Sequence, residues 1–219
     1  MKPKIITIDG PAGSGKTTVS RLLALELGWV YVDTGALYRG VALEVRQKNI
    51  DYDNDQVLKA FLDTLDFTIV THGETMKLLS SGVDISNKIR TPEITMLSST
   101  LSAKPLVRAA LLGVQKAIAA KENAVFEGRD MGTVVFPRAD HKFFLIADLK
   151  TRALRRFKEL KEVPVQSLYD VEKDMAKRDK NDSQRKAAPL KPADDAILID
   201  SSALTIDEVV AQIMHKINP

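Results

Sequence analysis

The stretch "KIITIDGPAGSGKTTVSRLLALELG", residues 4–28, decides the fold. Its first six residues form a short isoleucine-rich apolar run, the pattern of a buried strand. "GPAGSGKT" (10–17) follows and matches G-x-x-x-x-G-K-[ST]. From 15 to 28 apolar residues recur at helical spacing and stop at Gly28, a C-cap residue. A strand leading in and a helix leading out are the context this loop needs. Backbone N–H groups of Gly10, Pro11 excepted, then Ala12, Gly13, Ser14, Gly15, Lys16, Thr17 and Thr18 close around phosphate oxygens at the positive end of a helix dipole. Lys16 reaches the β- and γ-phosphates, and the Thr17 hydroxyl is placed to ligate Mg²⁺. The segment predicts a nucleoside triphosphate site.

Strands and helices alternate onward from it. Strands are expected over 29–33, 124–128, 142–148 and 196–200, with helices over 36–48, 55–65, 92–101, 105–121, 150–161, 164–178 and 205–217. This alternation implies right-handed βαβ units and a mostly parallel sheet covered by helices on both faces. "FTIVTHGETMKLLSSG" (67–82) interrupts it with a hairpin pattern, read as a small inserted subdomain. "KNDSQRKAAPLKPADD" (180–195) has no periodicity and is expected to be a mobile loop.

The bulk properties narrow the function. The 219 residues carry 32 Lys+Arg against 29 Asp+Glu, a net charge of +3. That excess does not call for a nucleic acid or a membrane as partner. There is no cysteine, which removes disulfides, thiol nucleophiles and thiolate metal sites. His72, His141 and His215 stand far apart with no metal-ligand spacing. The N-terminal apolar run is too short for a signal peptide, and no stretch approaches the roughly 20 apolar residues of a membrane span. A cytoplasmic protein is expected.

A phosphate loop does not say what is done with the nucleotide. No Asn-Lys-x-Asp for reading guanine is present. A small kinase needs a second pocket that neutralises an acceptor, and planar guanidiniums suit that task. "VDTGALYRG" (32–40) carries Arg39 off the end of the second strand. "AVFEGRDMGTVVFP" (124–137) sets Glu127, Arg129 and Asp130 between two apolar stretches, either a turn joining two strands or a site. In a parallel sheet the carboxyl ends of strands line one edge, where ligands bind.

These segments resemble the bacterial cytidylate kinase family. The likeness runs along nearly the whole chain: "ITIDGPAGSGKTT", "VDTGALYR", "IRTPE", a serine-rich helix before "PLVR", "EGRDMGTVVFP", "KRDKNDSQR" with "APL", and "ILIDSS". It implies an α/β P-loop kinase fold with a small β-rich insertion and a mobile lid. The single domain would divide into a core (about 1–60, 92–150 and 194–219), a monophosphate-binding insertion (about 61–91) and a lid region (about 150–193). It implies ATP as donor with Mg²⁺, CMP or dCMP as acceptor, and a monomer. By the same resemblance Lys16, Arg39, Arg129 and Arg178 act on the transferred and acceptor phosphates. Thr34, Arg108, Asp130 and Arg185 surround the cytosine, while Ser99, Arg178 and Asp182 approach the sugar. Arg152 and Arg156 contact ATP. Thr34 and Glu127 stand where related sequences more often carry Ser and Asp. Either Glu127 or Asp33 would support the metal beside Thr17.

Chemistry agrees with several of these assignments. Cytosine presents an amine where uracil presents a carbonyl, so a carboxylate such as Asp130 accepts from one and repels the other. Two other activities stay open from the residues alone. One is a small kinase for UMP or a non-nucleotide metabolite; the other is a nucleotide-dependent regulatory or nucleic-acid-binding module.

Overall fold

A computed structural model describes residues 2–72, 75–159 and 167–217. Five parallel strands form the central sheet in the order β2-β6-β1-β7-β8. They are β1 (Ile5–Asp9), β2 (Val30–Asp33), β6 (Ala124–Gly128), β7 (His141–Ile146) and β8 (Ile197–Asp200). A separate antiparallel sheet contains β3 (Phe67–His72), β4 (Thr75–Ser80) and β5 (Val83–Asp84). The hairpin expected over 67–82 therefore has a third strand, two residues long; its turn at 73–74 lies outside the described residues.

Strand alternation sorts the core onto two faces. From β1 and β6, Ile6, Ile8 and Val125 pack on one side with α1 (Lys16–Leu27) and α8 (Ile206–Ile217). Ile5, Ala124 and Phe126 pack on the other. There α5 (Pro105–Ala119) also joins the cluster under α2 (Thr34–Gln47), α3 (Asp55–Leu62) and α4 (Pro92–Leu101). The antiparallel sheet sits directly on α2: a Cβ on Gly40 would lie 2.7 Å from Leu78 and 3.0 Å from Phe67.

Most helix limits follow local chemistry. The Asp33 carboxylate accepts from the Ala36 N–H, so α2 starts at Thr34, two residues before the expected 36. Asn54 and Thr91 cap α3 and α4 in the same way, Pro92 opening the latter. Helix α6 covers Leu149–Glu159 and α7 covers Leu168–Gln184. The ends expected for them at 161 and 164 lie outside the described residues.

The C-terminal end of α7 corrects the loop expected from residue 180. "KNDSQ" continues the helix because the side facing the protein is charged rather than apolar. Asp182 is 4% exposed and accepts from Arg129 Nε at 3.0 Å. Only residues beyond Gln184 leave regular structure, and the Leu190 N–H returns to the Asp182 carbonyl at 2.8 Å.

Strand register then assembles one edge. Asp33 pairs with Glu127, Ile8 with Glu127 and Asp9 with Gly128. The phosphate loop, the start of α2 and the "GRD" segment thus leave the sheet side by side. No helix among the described residues is long and apolar enough to cross a membrane.

Candidate active site

Along that edge opens a cleft of about 580 Å³. The phosphate loop forms one end with Lys16, Thr17 and Thr18; Tyr38, Ser99, Ser102, Arg108, Asp130 and Arg185 form the other. Arg39, Arg129, Arg178 and Asp182 lie between.

The loop's shape depends on backbone that only glycine supplies easily. Gly10 has φ of 147° and Gly13 has φ of 73°. A Cβ on Gly10 would collide with the Leu145 carbonyl oxygen. Lys16 is 5% exposed, and its ammonium donates to the Pro11 carbonyl at 2.5 Å. Burial, then Arg129 and Arg178, hold it well below the usual lysine range, with Glu127 opposing.

Glu127 and Asp33 end adjacent strands but differ in what they hold. Glu127 Oε2 accepts the Thr17 hydroxyl at 3.0 Å, and Oε1 accepts the Tyr31 hydroxyl at 2.5 Å. Burial and the neighbouring Asp33 raise the Glu127 carboxyl above the ordinary range, against Lys16. Asp33 caps α2 with one oxygen and binds Arg39 at 2.8 Å with the other. The described residues contain no cluster of three or more metal-ligating side chains. A hydroxyl with one nearby carboxylate is instead a hard, sparse oxygen set. It fits Mg²⁺, which keeps water and phosphate oxygens in its shell.

"EGRD" is not a turn joining two strands. After β6 the chain enters a single π-helical turn over Met131–Val135. Its geometry is imposed from β1: Asp9 accepts the Met131 N–H at 2.9 Å and the Gly132 N–H at 2.8 Å. The peptide following Asp130 is fixed by this clamp, a contact that sequence reading missed. Burial pushes the Asp9 carboxyl up to about 6, with Asp130 adding to the rise and the two N–H donors and Lys16 opposing it. A carboxyl raised on folding contributes stability that is fully present below its unfolded range and lost as pH rises through the folded value. Tm between about pH 4 and 6.5, the interval from the ordinary carboxylate value to just above the raised one, is therefore expected to fall with rising pH more steeply in the wild type than in Asp9→Asn. The full swing is on the order of 2–3 kcal/mol. Equal slopes in calorimetry would show that Asp9 does not titrate there.

On the far wall Asp130, 2% exposed, is ion-paired with Arg108. Burial raises its carboxyl, and Arg108 and Arg185 oppose the rise. Arg108 also donates to the Ser102 carbonyl at 3.4 Å and lies 5.9 Å from the Tyr38 ring centre. Arg185 reaches the Ser102 hydroxyl at 3.1 Å, so Ser102 joins Arg108 of α5 to Arg185, the residue just past α7. Ser99 lines the cleft beside it, whereas the Ser98 hydroxyl turns back to the Thr95 carbonyl. Thr34 lines the cleft too, but its hydroxyl donates to the Glu127 carbonyl at 2.7 Å, which leaves it only acceptor capacity for a ligand.

The middle of the cleft is strongly cationic. Arg129 holds Asp182, and Arg178 is pushed down to about 10 by burial and by Arg129. Arg39 Nε, Arg178 Nε, and Arg185 Nε and one terminal nitrogen are buried without a hydrogen-bond partner among the described residues. Buried donors of this kind call for an acceptor-rich ligand.

Arg152 departs from its expected place. Its guanidinium donates to Ala147 O at 2.8 Å, Ala12 O at 3.2 Å and Asp179 at 2.6 Å, and it does not line the cleft. It ties α6 to α7 and to the back of the phosphate loop. Arg155 and Arg156 line the cleft instead, Arg155 donating to the Ser201 carbonyl at 2.6 Å. The run of arginines in α6 is visible in the sequence, but helix phase alone does not say which one a tertiary carboxylate claims.

Comparison with known proteins agrees with this geometry. A crystal structure of shikimate kinase from Bacteroides thetaiotaomicron is similar over 99% of both chains, with a TM-score of 0.53 at 11% identity, which shows a shared fold. Cytidylate kinase from Geobacter sp. (strain M21) is 45% identical over 207 residues, covering 94% of this chain and 89% of that one. Cytidylate kinase from Azotobacter vinelandii is 44% identical over 220 residues, 99% of this chain and 96% of its own. Residues 6–219 match the family described as cytidylate kinase, so the phosphate loop, the arginine-lined cleft and the "EGRD" wall all fall within the match. The chain belongs to the cytidylate kinase family.

Proposed function

We propose that this protein transfers the γ-phosphoryl group of ATP to CMP or dCMP, giving ADP and the cytidine or deoxycytidine diphosphate. One observation carries the proposal beyond the family: a single cleft joins the phosphate loop to a buried carboxylate, Asp130, held by an arginine at the opposite end. A carboxylate there accepts from the cytosine amine and repels the carbonyl of uracil. Arg108 and Arg185 supply donors for the base carbonyl and ring nitrogen.

The nucleophile is an oxygen of the acceptor phosphate. With a second pKa of about 6, that phosphate is largely ionised at neutral pH, so no general base is required. The attacking oxygen forms a bond to the γ-phosphorus as the bond to the β,γ-bridging oxygen breaks. Catalysis then rests on positioning and charge neutralisation. Arg39 and Arg129 hold the acceptor phosphate, and Lys16 with Arg178 balances charge on the transferred group. Ser99 and Asp182 face the sugar. Thr17, supported by Glu127, would hold Mg²⁺, and the ion would supply charge neutralisation to the transferred phosphoryl group. Glu127 is taken over Asp33 for this task because it accepts directly from the Thr17 hydroxyl, whereas the Asp33 oxygens hold the α2 cap and Arg39.

Arg156 contacts the donor nucleotide from α6, with Arg155 beside it in place of Arg152. Residues 61–91 form the acceptor-side insertion. The region about 150–193, of which 160–166 lie outside the described residues, would act as a lid that excludes water when both substrates are bound. The same reading makes the protein a cytoplasmic monomer acting on free nucleotides.

A coupled ADP-release assay across CMP, dCMP, UMP, AMP and shikimate tests the proposal. CMP and dCMP are expected to give kcat/KM at least about 100-fold above UMP, as a site with a dedicated buried polar reader allows. Turnover of UMP or shikimate equal to that of CMP would replace the acceptor.

A further inference from the structure

Tyr31 has no place in the chemistry above, yet it sits two residues before Asp33 on β2 with its phenol buried. Its hydroxyl crosses to β6 and donates to Glu127 Oε1 at 2.5 Å. The other oxygen, Oε2, receives the Thr17 hydroxyl at 3.0 Å. Two donors from different elements therefore grip opposite oxygens of one carboxylate. A carboxylate gripped on one side only could still turn about its last torsion, which is broad and weakly restrained. Gripped on both, its plane is set.

The consequence falls on Thr17. A threonine hydroxyl has one proton and two lone pairs. With the proton aimed at Oε2, both lone pairs remain for a cation. Were Glu127 free to turn away, that proton could point elsewhere, including toward a phosphate oxygen, and the hydroxyl would cease to be a fixed ligand.

We infer that Tyr31 is a positioning residue for the cation of the donor nucleotide, acting through Glu127 on the orientation of the Thr17 hydroxyl. This rests on the metal-side roles proposed above for Thr17 and Glu127. Tyr31 touches neither the ion nor the nucleotide in this scheme. Its effect belongs to the class of outer-sphere hydrogen bonds whose loss typically weakens metal binding by 10–100-fold.

The test uses the full chain and Mn²⁺ as a visible substitute for Mg²⁺. Mn²⁺ is titrated into enzyme holding a non-hydrolysable ATP analogue, with free ion read by electron paramagnetic resonance. Tyr31→Phe removes one oxygen and keeps the ring, and is expected to weaken Mn²⁺ binding about tenfold. Affinity for the analogue in EDTA is expected to stay within about twofold, because the cation on which this hydrogen bond acts is absent from that measurement. Glu127→Gln in the same titration is expected to lose at least as much, and Tyr31→Phe added to Glu127→Gln to lose nothing more.

Wild-type Mn²⁺ affinity in Tyr31→Phe, alongside a loss in Glu127→Gln, would overturn the role of Tyr31 alone. Wild-type affinity in both would overturn the metal-side role of Glu127 and the inference with it. An equal loss of analogue affinity in EDTA, or an additive loss in the double variant, would make Tyr31 a packing residue instead.

Discussion

Lys16→Met is expected to lower kcat by about 10³-fold or more while leaving Tm unchanged or higher. The two halves of this result have one cause. Lys16 is buried against Arg129 and Arg178, and desolvation with like-charge repulsion opposes its charge in the free protein. Its ammonium is satisfied there only by the Pro11 carbonyl and, at 3.4 Å, the Ser14 hydroxyl. Charge held at such a disadvantage stabilises little until phosphates arrive. With ATP bound it neutralises the γ-phosphoryl group in a site of low dielectric, where one donor is worth 10²–10³ in rate and a full charge more. Methionine retains the length and apolar stem without the ammonium. Steady-state kinetics with CMP and thermal unfolding of the free enzyme measure both. Activity within tenfold of wild type would exclude Lys16 from the transferred group. A large fall in Tm would show that Glu127 depends on it more than its arginine neighbours repel it.

Asp130→Asn is expected to shrink the CMP-over-UMP ratio of kcat/KM by about 100-fold or more. An amide can present its oxygen to the cytosine amine or its nitrogen to the uracil carbonyl, so the base ceases to be distinguished. The change also replaces the anion that neutralises Arg108, whose side chain is 12% exposed. Breaking a buried pair costs about 3–5 kcal/mol when one charge is left alone, and the amide oxygen recovers part of that. CMP turnover should therefore fall as UMP turnover rises. The substrate panel applied to this variant separates the two effects: equal loss on both nucleotides would assign Asp130 to stability and not to base choice.

The backbone between these residues connects them in a way neither motif reveals. Asp9 ends the strand that leads into the phosphate loop, and its carboxylate holds the turn that follows Asp130. Donor and acceptor walls thus share one rigid attachment. Arg129 extends the connection to α7 through Asp182, whose carboxylate receives it from the sheet edge.

By itself the sequence determined the strand, phosphate loop and helix at residues 4–28, the alternation that makes a parallel sheet, and the placing of "VDTGALYR" and "EGRD" at strand ends. These are local properties: periodic burial, glycine at left-handed backbone, and caps such as Asp33, all encoded within a few residues. Tertiary structure decided which charged side chains meet. Met131 and Asp9 lie 122 residues apart, Tyr31 and Glu127 lie 96 apart, and only the register of β2, β6 and β1 brings them together. The end of α7 escaped sequence reading for a related reason, since a helix face buried against arginines carries no apolar period. Arg152 and Arg155 look alike within α6, and Asp179 from another helix separates their roles. Hydrophobic burial repeats along the chain and can be read there. A hydrogen bond between distant side chains has no period, and exists only once the fold has set both ends within about 3 Å.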